Sequence, residues 1–279
     1  MASVPAFLTG GPSPRARLDA IARDALSGLT PVVVVNRRAD VALDQVDGAS
    51  DEPFPTIHTD GRTDLETTMR RAYRSVNEQV RDTHGHGDDA GHTVYGSVRF
   101  VAAEDAAAGA ERVIDALMSQ GDVGVRAYGP VSFVLAPDAM RERATFAADD
   151  TGVTMARVHA PEDIATVVAD RLERGTPTAP SVERLLQMPS RAAQDAVRGW
   201  LLTDDVGGST GYMEAQVRRF TPGDVFAAVV DARDAASVVR RDQVDPGTTP
   251  TGAQIEALSA HLARHEVPVR VLADPPSDA

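Results

Sequence analysis

A short segment near residue 214 carries the residues best suited to chemistry. Residues 212–217 read Tyr-Met-Glu-Ala-Gln-Val, and this alternation of polar and apolar residues is typical of a β-strand. A strand with this period puts Tyr212, Glu214 and Gln216 on one face and leaves the apolar residues for the core. A carboxylate beside an amide and an aromatic ring could hold a ribose hydroxyl or stabilise a developing cation. The alternative is a polar strand face in contact with solvent, which the pattern alone favours.

A second distinctive block covers residues 128–146. It opens with Tyr-Gly-Pro, continues through an apolar run, and ends with Arg-Glu-Arg-Ala-Thr-Phe. The pattern predicts a strand, a turn and a second strand. Arg143 and Thr145 alternate along that second strand, so a guanidinium and a hydroxyl share one of its faces. The alternative, an edge strand at the protein surface, is again favoured by the pattern alone.

Two glycine-rich segments contain further reactive residues. The histidines and aspartates at residues 84–92 suit zinc, nickel or copper, but a glycine-rich loop gives them no fixed geometry. Residues 207–211 read Gly-Gly-Ser-Thr-Gly, which could bind a phosphate or present Ser209 as a nucleophile. A nucleophile elbow needs a strand before the serine and a helix after it, and the predicted order is the reverse. We therefore interpret both segments as loops and expect no metal site.

Composition limits the class of protein. The chain has 279 residues, 42% of them hydrophobic, which allows one large domain or two ordinary ones with a real core. A net charge of −13 argues against nucleic acid or an anionic membrane as a partner. The absence of cysteine excludes disulfides, zinc–thiolate sites and cysteine nucleophiles. All 28 basic residues are arginine, so the chain is lysine-free, through coding bias or through avoidance of lysine-directed modification. No signal-peptide pattern opens the sequence, and a cytoplasmic location fits.

Helices and strands alternate along most of the chain. A loop at residues 82–91 suggests a boundary between an N-terminal region of unknown role, 1–91, and a domain at 92–279. The apolar strand at 32–35 must find partners, because buried backbone groups need hydrogen bonds, so the N-terminal region is either a separate small domain or part of the same core. The predicted helices are 15–29, 63–82, 103–119, 160–174, 181–202 with a break at Pro189, and 253–265. The apolar stripe predicted for 103–119 is Val113, Ile114, Leu117 and Met118. The predicted strands are 32–35, 93–102, 123–126, 130–136, 212–218, 226–231 and 268–272.

Taken together, the two blocks resemble ADP-ribosyltransferase-like domains of the type fused to phage head-morphogenesis proteins and found in bacterial toxin-like proteins. The resemblance covers roughly residues 93–273. It rests on a Tyr-Gly-x-Val strand, an Arg-x-Thr-Phe segment and a later Tyr-x-Glu-Ala-Gln-Val strand followed by Asp-Val. It implies an α+β fold with a split, mostly antiparallel β core and flanking helices, plus a smaller N-terminal helical and strand region.

The resemblance also implies an activity, NAD-dependent ADP-ribosyltransfer to a protein. Such a glycosyltransferase moves ADP-ribose from NAD to a side chain and releases nicotinamide. A carboxylate stabilises the cationic ribose, and an arginine holds the pyrophosphate through charge-assisted bonds. By position, Glu214 and Gln216 are the catalytic candidates. The candidates for binding NAD are Arg99, with Arg126 as its rival, and Tyr128, Arg143, Thr145 and Tyr212.

Several residues differ from the pattern of that family. Glu214 precedes Gln216, whereas many transferases have the reverse order, and Arg-Ala-Thr stands at 143–145 where Ser-Thr-Ser is usual. Three functions therefore stay open. The chain is a phage-encoded transferase with a protein target, a virion protein that contacts capsid proteins and carries a degenerate domain, or a binder of NAD-like ligands without turnover. The corresponding locations are the cytoplasm of a bacterial host and the virion.

Overall fold

The fold combines helices with one large sheet. A computed structural model describes residues 11–39, 42–43, 94–120, 129–140, 144–147, 158–159, 164–174, 179–202, 213–217, 220–233 and 249–273. The described helices are α1 (Pro14–Leu26), α2 (Ala106–Gln120), α3 (Pro137–Met140), α4 (Ile164–Arg174), α5 (Ala179–Gln187), α6 (Ser190–Leu202) and α7 (Gly252–Ala263), with a 3-10 turn at Pro222–Asp224. The described strands are β1 (Leu29–Arg37), β2 (Val94–Ala102), β3 (Val131–Leu135), β4 (Ala144–Ala147), β5 (Val158–His159), β6 (Glu214–Val217), β7 (Val225–Asp231) and β8 (Val269–Leu272).

The described strands form a single eight-stranded sheet with the order β5-β4-β6-β2-β1-β3-β7-β8. Every neighbouring pair is antiparallel except β7 and β8, which run parallel with α7 between them in the chain. The predicted α+β class with a mostly antiparallel sheet is therefore confirmed. The described strands join into one continuous sheet, which differs from the split core that the resemblance implies.

The N-terminal strand lies in the middle of this sheet. β1 pairs with β2 on one side and with β3 on the other, and its last six residues are all buried. This explains the run of four valines, because a central strand covered on both faces needs apolar side chains on both. The N-terminal region up to residue 37 therefore contributes to the same core as the rest of the chain. The predicted boundary at residue 91 lies outside the described residues.

One face of the sheet packs against a layer of helices, and we call it the helical-layer face. Alternate residues of the strands point to it, as the period of a strand requires. Its largest buried side chains include Phe133 and Phe220, whose ring centroids are 5.5 Å apart. The helices contribute Leu18 of α1, Leu172 of α4, Leu185 of α5, Val197 of α6 and Leu262 of α7 to this cluster.

The opposite face is covered in part by α2, and we call it the α2 face. Val32, Val34, Val134, Ala227 and Val229 form the apolar part of this face, on the adjacent strands β1, β3 and β7. The stripe of α2 that packs on them is Ala110, Val113, Ile114 and Leu117. The apolar stripe predicted for this helix is confirmed.

Charged side chains dock α1 onto the helical layer. Ser13 begins α1 by accepting a hydrogen bond from the backbone of Ala16 at 3.1 Å, as expected of an N-cap serine. Arg15 then contacts the buried carboxylate of Asp170 on α4 and donates to the carbonyl of Thr166 at 2.7 Å. Partial burial lowers the pKa of Arg15, but attraction to Asp170 outweighs it and the net pKa is raised. The guanidinium therefore stays charged at any pH at which the protein is folded.

The predicted elements agree with the structure over most of the described chain. The helix predicted at 181–202 is interrupted at Pro189, as expected, because proline cannot donate the backbone hydrogen bond. The helix predicted at 63–82 and the strand predicted at 123–126 lie outside the described residues. No helix in the described segments is both long enough and apolar enough to cross a membrane.

Candidate functional site

The two catalytic candidates lie on an interior strand. β6 is hydrogen-bonded to β2 on one side and to β4 on the other, and all four of its residues are buried. Glu214 is 1% exposed and Gln216 is 2% exposed. The interpretation of a polar strand face in contact with solvent is therefore wrong. The residues of one strand do not reveal whether the rest of the protein covers its polar face.

Glu214 and Gln216 contact each other within this buried environment. The side-chain amide of Gln216 donates a hydrogen bond to Oε1 of Glu214 at 3.3 Å. The bond can exist because residues two apart on a strand point to the same face. A carboxylate that accepts a donor away from water is held in one orientation, and its field is screened far less than at a surface.

The strand next to β6 brings two more polar side chains to the same face. In the register of β2 with β6, Ser97 lies directly opposite Glu214. The backbone bond from Val98 to Met213, 3.0 Å long, makes the next pair a hydrogen-bonded one. Ser97 and Glu214 therefore form a non-hydrogen-bonded pair, in which the Cα atoms approach to about 4.5 Å. Arg99, partly exposed, alternates with Ser97 and so points to the same face about 7 Å further along β2.

The strand on the other side of β6 comes from the second sequence block. Thr145 pairs with Gln216 and Ala147 pairs with Glu214 in the register of β4. β4 lies between β5 and β6, so the interpretation of an edge strand is wrong for this segment. The tertiary structure thus places the end of the second block, Ala144–Phe146, directly beside β6, although about 70 residues separate the two segments in the sequence.

The polar side chains continue across the α2 face beyond β2. Asn36 follows Val34 by two residues on β1 and pairs with Ser132 of β3. Its side-chain amide donates to the hydroxyl of Ser132 at 2.9 Å and to the carbonyl of Gly129 at 3.2 Å. We use the name polar strip for six described polar residues that share this face: Glu214, Gln216, Ser97, Arg99, Asn36 and Ser132. The polar strip runs across β6, β2, β1 and β3, beside the apolar area that α2 covers.

Only some of the remaining candidate residues for binding NAD lie within the described part of the chain. Thr145 lies on β4, as given above, while Arg126, Tyr128, Arg143 and Tyr212 lie outside the described residues. The histidine-rich segment 84–92 and the Gly-x-Ser-x-Gly segment 207–211 also lie outside them. Within the described part of the chain, no three His, Asp or Glu side chains come together as the ligands of a metal ion would.

Sequence reasoning missed Ser97, Asn36 and Ser132. A signal for Ser97 was present, because Tyr95, Ser97 and Arg99 alternate with apolar residues just as Glu214 and Gln216 do. For Asn36 and Ser132 the signal is weaker, since Asn36 follows a valine run and precedes two arginines, and Ser132 is a single polar residue within an apolar segment. Their meaning depends on pairing between β1 and β3, which only the folded chain shows.

The polar strip presents both acceptors and a positive charge on one face. Glu214 offers carboxylate oxygens to hydroxyl groups, and Arg99 offers a guanidinium suited to a phosphate or pyrophosphate. The carboxylate and the guanidinium therefore fit a ligand that carries ribose hydroxyls and phosphates, and NAD is such a ligand.

No protein-family model matches the chain, and no curated protein matches it.

Proposed function

We propose that this protein is an NAD-dependent ADP-ribosyltransferase that modifies a protein target. The observation that carries the proposal is the burial of Glu214 and Gln216 on an interior strand, opposite Ser97 and on the same face as Arg99. Burial of a carboxylate costs free energy unless hydrogen bonds or opposite charges offset the loss of hydration. A buried carboxylate is therefore expected mainly where it has a structural or a catalytic role.

The residues can be given roles that follow from their chemistry. When bound, NAD supplies a ribose whose bond to nicotinamide can break. Nicotinamide then leaves, and the target side chain loses a proton and forms a bond to the same ribose carbon. The Glu214 carboxylate stabilises the positive charge that develops on the ribose, and it does so most effectively away from water. Gln216 is a positioning residue, because its hydrogen bond of 3.3 Å orients the carboxylate. Arg99 holds the pyrophosphate by charge-assisted hydrogen bonds.

The pairing of β4 with β6 also relates the two sequence blocks on which the resemblance rests. β4 and β6 are neighbouring strands, so Thr145-Phe146 of the second block and the Glu-Ala-Gln-Val segment are paired in one sheet. The residue opposite Gln216 is Thr145. This neighbourhood supports the proposal independently of the order in which the two blocks occur in the sequence.

The test is release of nicotinamide from NAD by the purified full chain, with bacterial lysate as the source of target protein. We expect Glu214→Gln to lower turnover by about 100-fold or more, because it removes the charge and keeps the shape. Glu256→Gln is the matched control, since Glu256 is an exposed carboxylate on α7. We expect Gln216→Leu to lower kcat more than it raises KM, as a positioning role requires.

Two results would refute the proposal. The first is no nicotinamide release by the wild-type chain together with no rise in melting temperature at millimolar NAD, since a ligand that binds the folded state must stabilise it. That result favours the virion or interaction protein. The second is a rise in melting temperature without turnover under any condition, which favours a binder of NAD-like ligands.

A further inference from the structure

The sheet ends in an open edge at β8. β8 is the last strand in the sheet order, so no described strand lies on its outer side. All four of its residues are half-buried or exposed. Among the described residues, Val271 of β8 is the one large hydrophobic side chain that is exposed, at 40%. An edge strand with an exposed apolar residue is a site at which another strand can be added.

The backbone groups of β8 alternate between the inner and the outer side of the strand. The carbonyls of Pro268 and Leu272 point inward, because they accept hydrogen bonds from Ala228 and Ala232 at 3.0 and 2.8 Å. Successive residues of a strand direct their backbone groups to opposite sides, so the N–H and C=O groups at 269 and 271 point outward. The next residue with this orientation is 273, and an added strand would bond to these three positions.

The charged residue of β8 has an ion-pair partner on its own chain. Arg270 lies 3.7 Å from the carboxylate of Glu111 on α2. Val271 lies on the helical-layer face instead, because its partner in β7 is Val230, which belongs to that cluster. The edge therefore does not require an acidic strand opposite Arg270. It offers an apolar side chain and a row of outward backbone groups.

We propose that β8 pairs with β8 of a second copy of this chain, antiparallel about a two-fold axis at Val271. Val271 then faces its own copy as a hydrogen-bonded pair, and Val269 faces the second copy's Ala273 in the same way. Arg270 faces the second copy's Leu272. A register centred on Arg270 would set two arginines directly opposite each other, which is destabilising. The edge is thus complementary to itself in one register, as a two-fold interface requires.

The expected dimer is a reversible one. A joint formed by residues 269–273 is small compared with the roughly 1,200–2,000 Å² that a stable interface buries, so we expect a dissociation constant in the micromolar range. β8 and β6 are separated in the sheet order by β2, β1, β3 and β7. The inference therefore does not depend on the function proposed for Glu214.

The experiment is sedimentation velocity of the full chain from about 5 to about 500 μM, a range that brackets micromolar association. We expect Val271→Lys to raise the dissociation constant at least about tenfold, because it replaces an apolar contact at the axis with two opposed charges. Val271→Ile should retain the dimer. Ala260→Lys is the matched control, since it adds the same charge at an exposed position of α7 outside β8.

Hydrogen exchange followed by NMR locates the interface in the wild-type chain. We expect the amides of Val269 and Val271 to exchange more slowly as the concentration rises, whereas those of Arg270 and Leu272 face β7 and should change little. A chain that stays monomeric over the whole range would overturn the inference. So would a dimer that Val271→Lys leaves intact, or one in which the Val269 and Val271 amides gain no protection.

Discussion

Gly129, two residues before β3, provides the sharpest test of the fold, through Gly129→Ala. Gly129 has a φ of 131°, a conformation that side chains rarely adopt. A Cβ atom at this position would overlap the carbonyl group of Arg37 and the backbone nitrogen of Arg38. This position therefore requires glycine for its backbone angle and for the close approach of Arg37 and Arg38, and we expect the variant to be strongly destabilised.

The magnitude follows from two contributions. Holding a side chain in such a backbone conformation costs about 1–3 kcal/mol, and forcing extra volume into a packed region typically costs about 1–3 kcal/mol more. A total near 4 kcal/mol corresponds to a fall in Tm of roughly 8–16 °C, at about 2–4 °C per kcal/mol for a chain of this size. Differential scanning calorimetry measures this shift directly.

The control is Gly252→Ala. Gly252 begins α7, and a Cβ atom there would meet nothing within 4 Å. We expect this variant to be neutral or slightly stabilised, by less than about 1 kcal/mol, because alanine is the better helix former. A Gly129→Ala protein that melts within 3 °C of the wild type, on the order of 1 kcal/mol, would refute the close approach of Gly129 to the backbone of Arg37 and Arg38.

Three further substitutions test contacts within the helical layer and the sheet, each by urea unfolding. Arg15→Met should lower the free energy of unfolding by about 1–3 kcal/mol, because it deprives buried Asp170 of a charge partner; Arg23→Met, an exposed arginine of α1, should change it by less than about 0.5 kcal/mol. Arg198→Met should cost about 1–2 kcal/mol, since Arg198 donates to two carbonyls at the end of α1 at 2.8 and 3.1 Å. Gly96→Ala should cost about 1–3 kcal/mol, because its Cβ would lie 2.7 Å from the Val34 carbonyl oxygen. Loss of less than about 0.3 kcal/mol in any of the three would contradict the corresponding contact.

Local chemistry made much of the fold predictable. The valine run at 32–35 predicted a buried strand that needs partners, and β1 has two. The period of 3.6 in α2 and the proline at residue 189 predicted a helix and a break, because both effects act within a few residues. The alternation at 212–217 predicted that Glu214 and Gln216 share a face, and they do.

The surroundings of the candidate site were less predictable. A strand of alternating polar and apolar residues has the same pattern at a solvent-exposed face as at a polar face buried inside the protein. For β6 the pattern favoured exposure, and the burial of Glu214 is seen only in the folded chain. The contact between Asn36 and Ser132 is likewise seen only there, because the two residues lie far apart in the sequence and are partners in the sheet.

The sequence by itself determined the fold class, the absence of cysteine chemistry, and the positions of most described helices and strands. These properties depend on composition and on short-range periodicity. Only the tertiary structure decided which strands are neighbours, and hence that Glu214, Ser97 and Asn36 lie on one buried face. The physical reason is that strand pairing joins residues far apart in the chain through backbone hydrogen bonds, which are the same for every residue type. The order of strands in a sheet is therefore set by how the apolar faces of all elements pack together, and it cannot be read from the residues of any single segment.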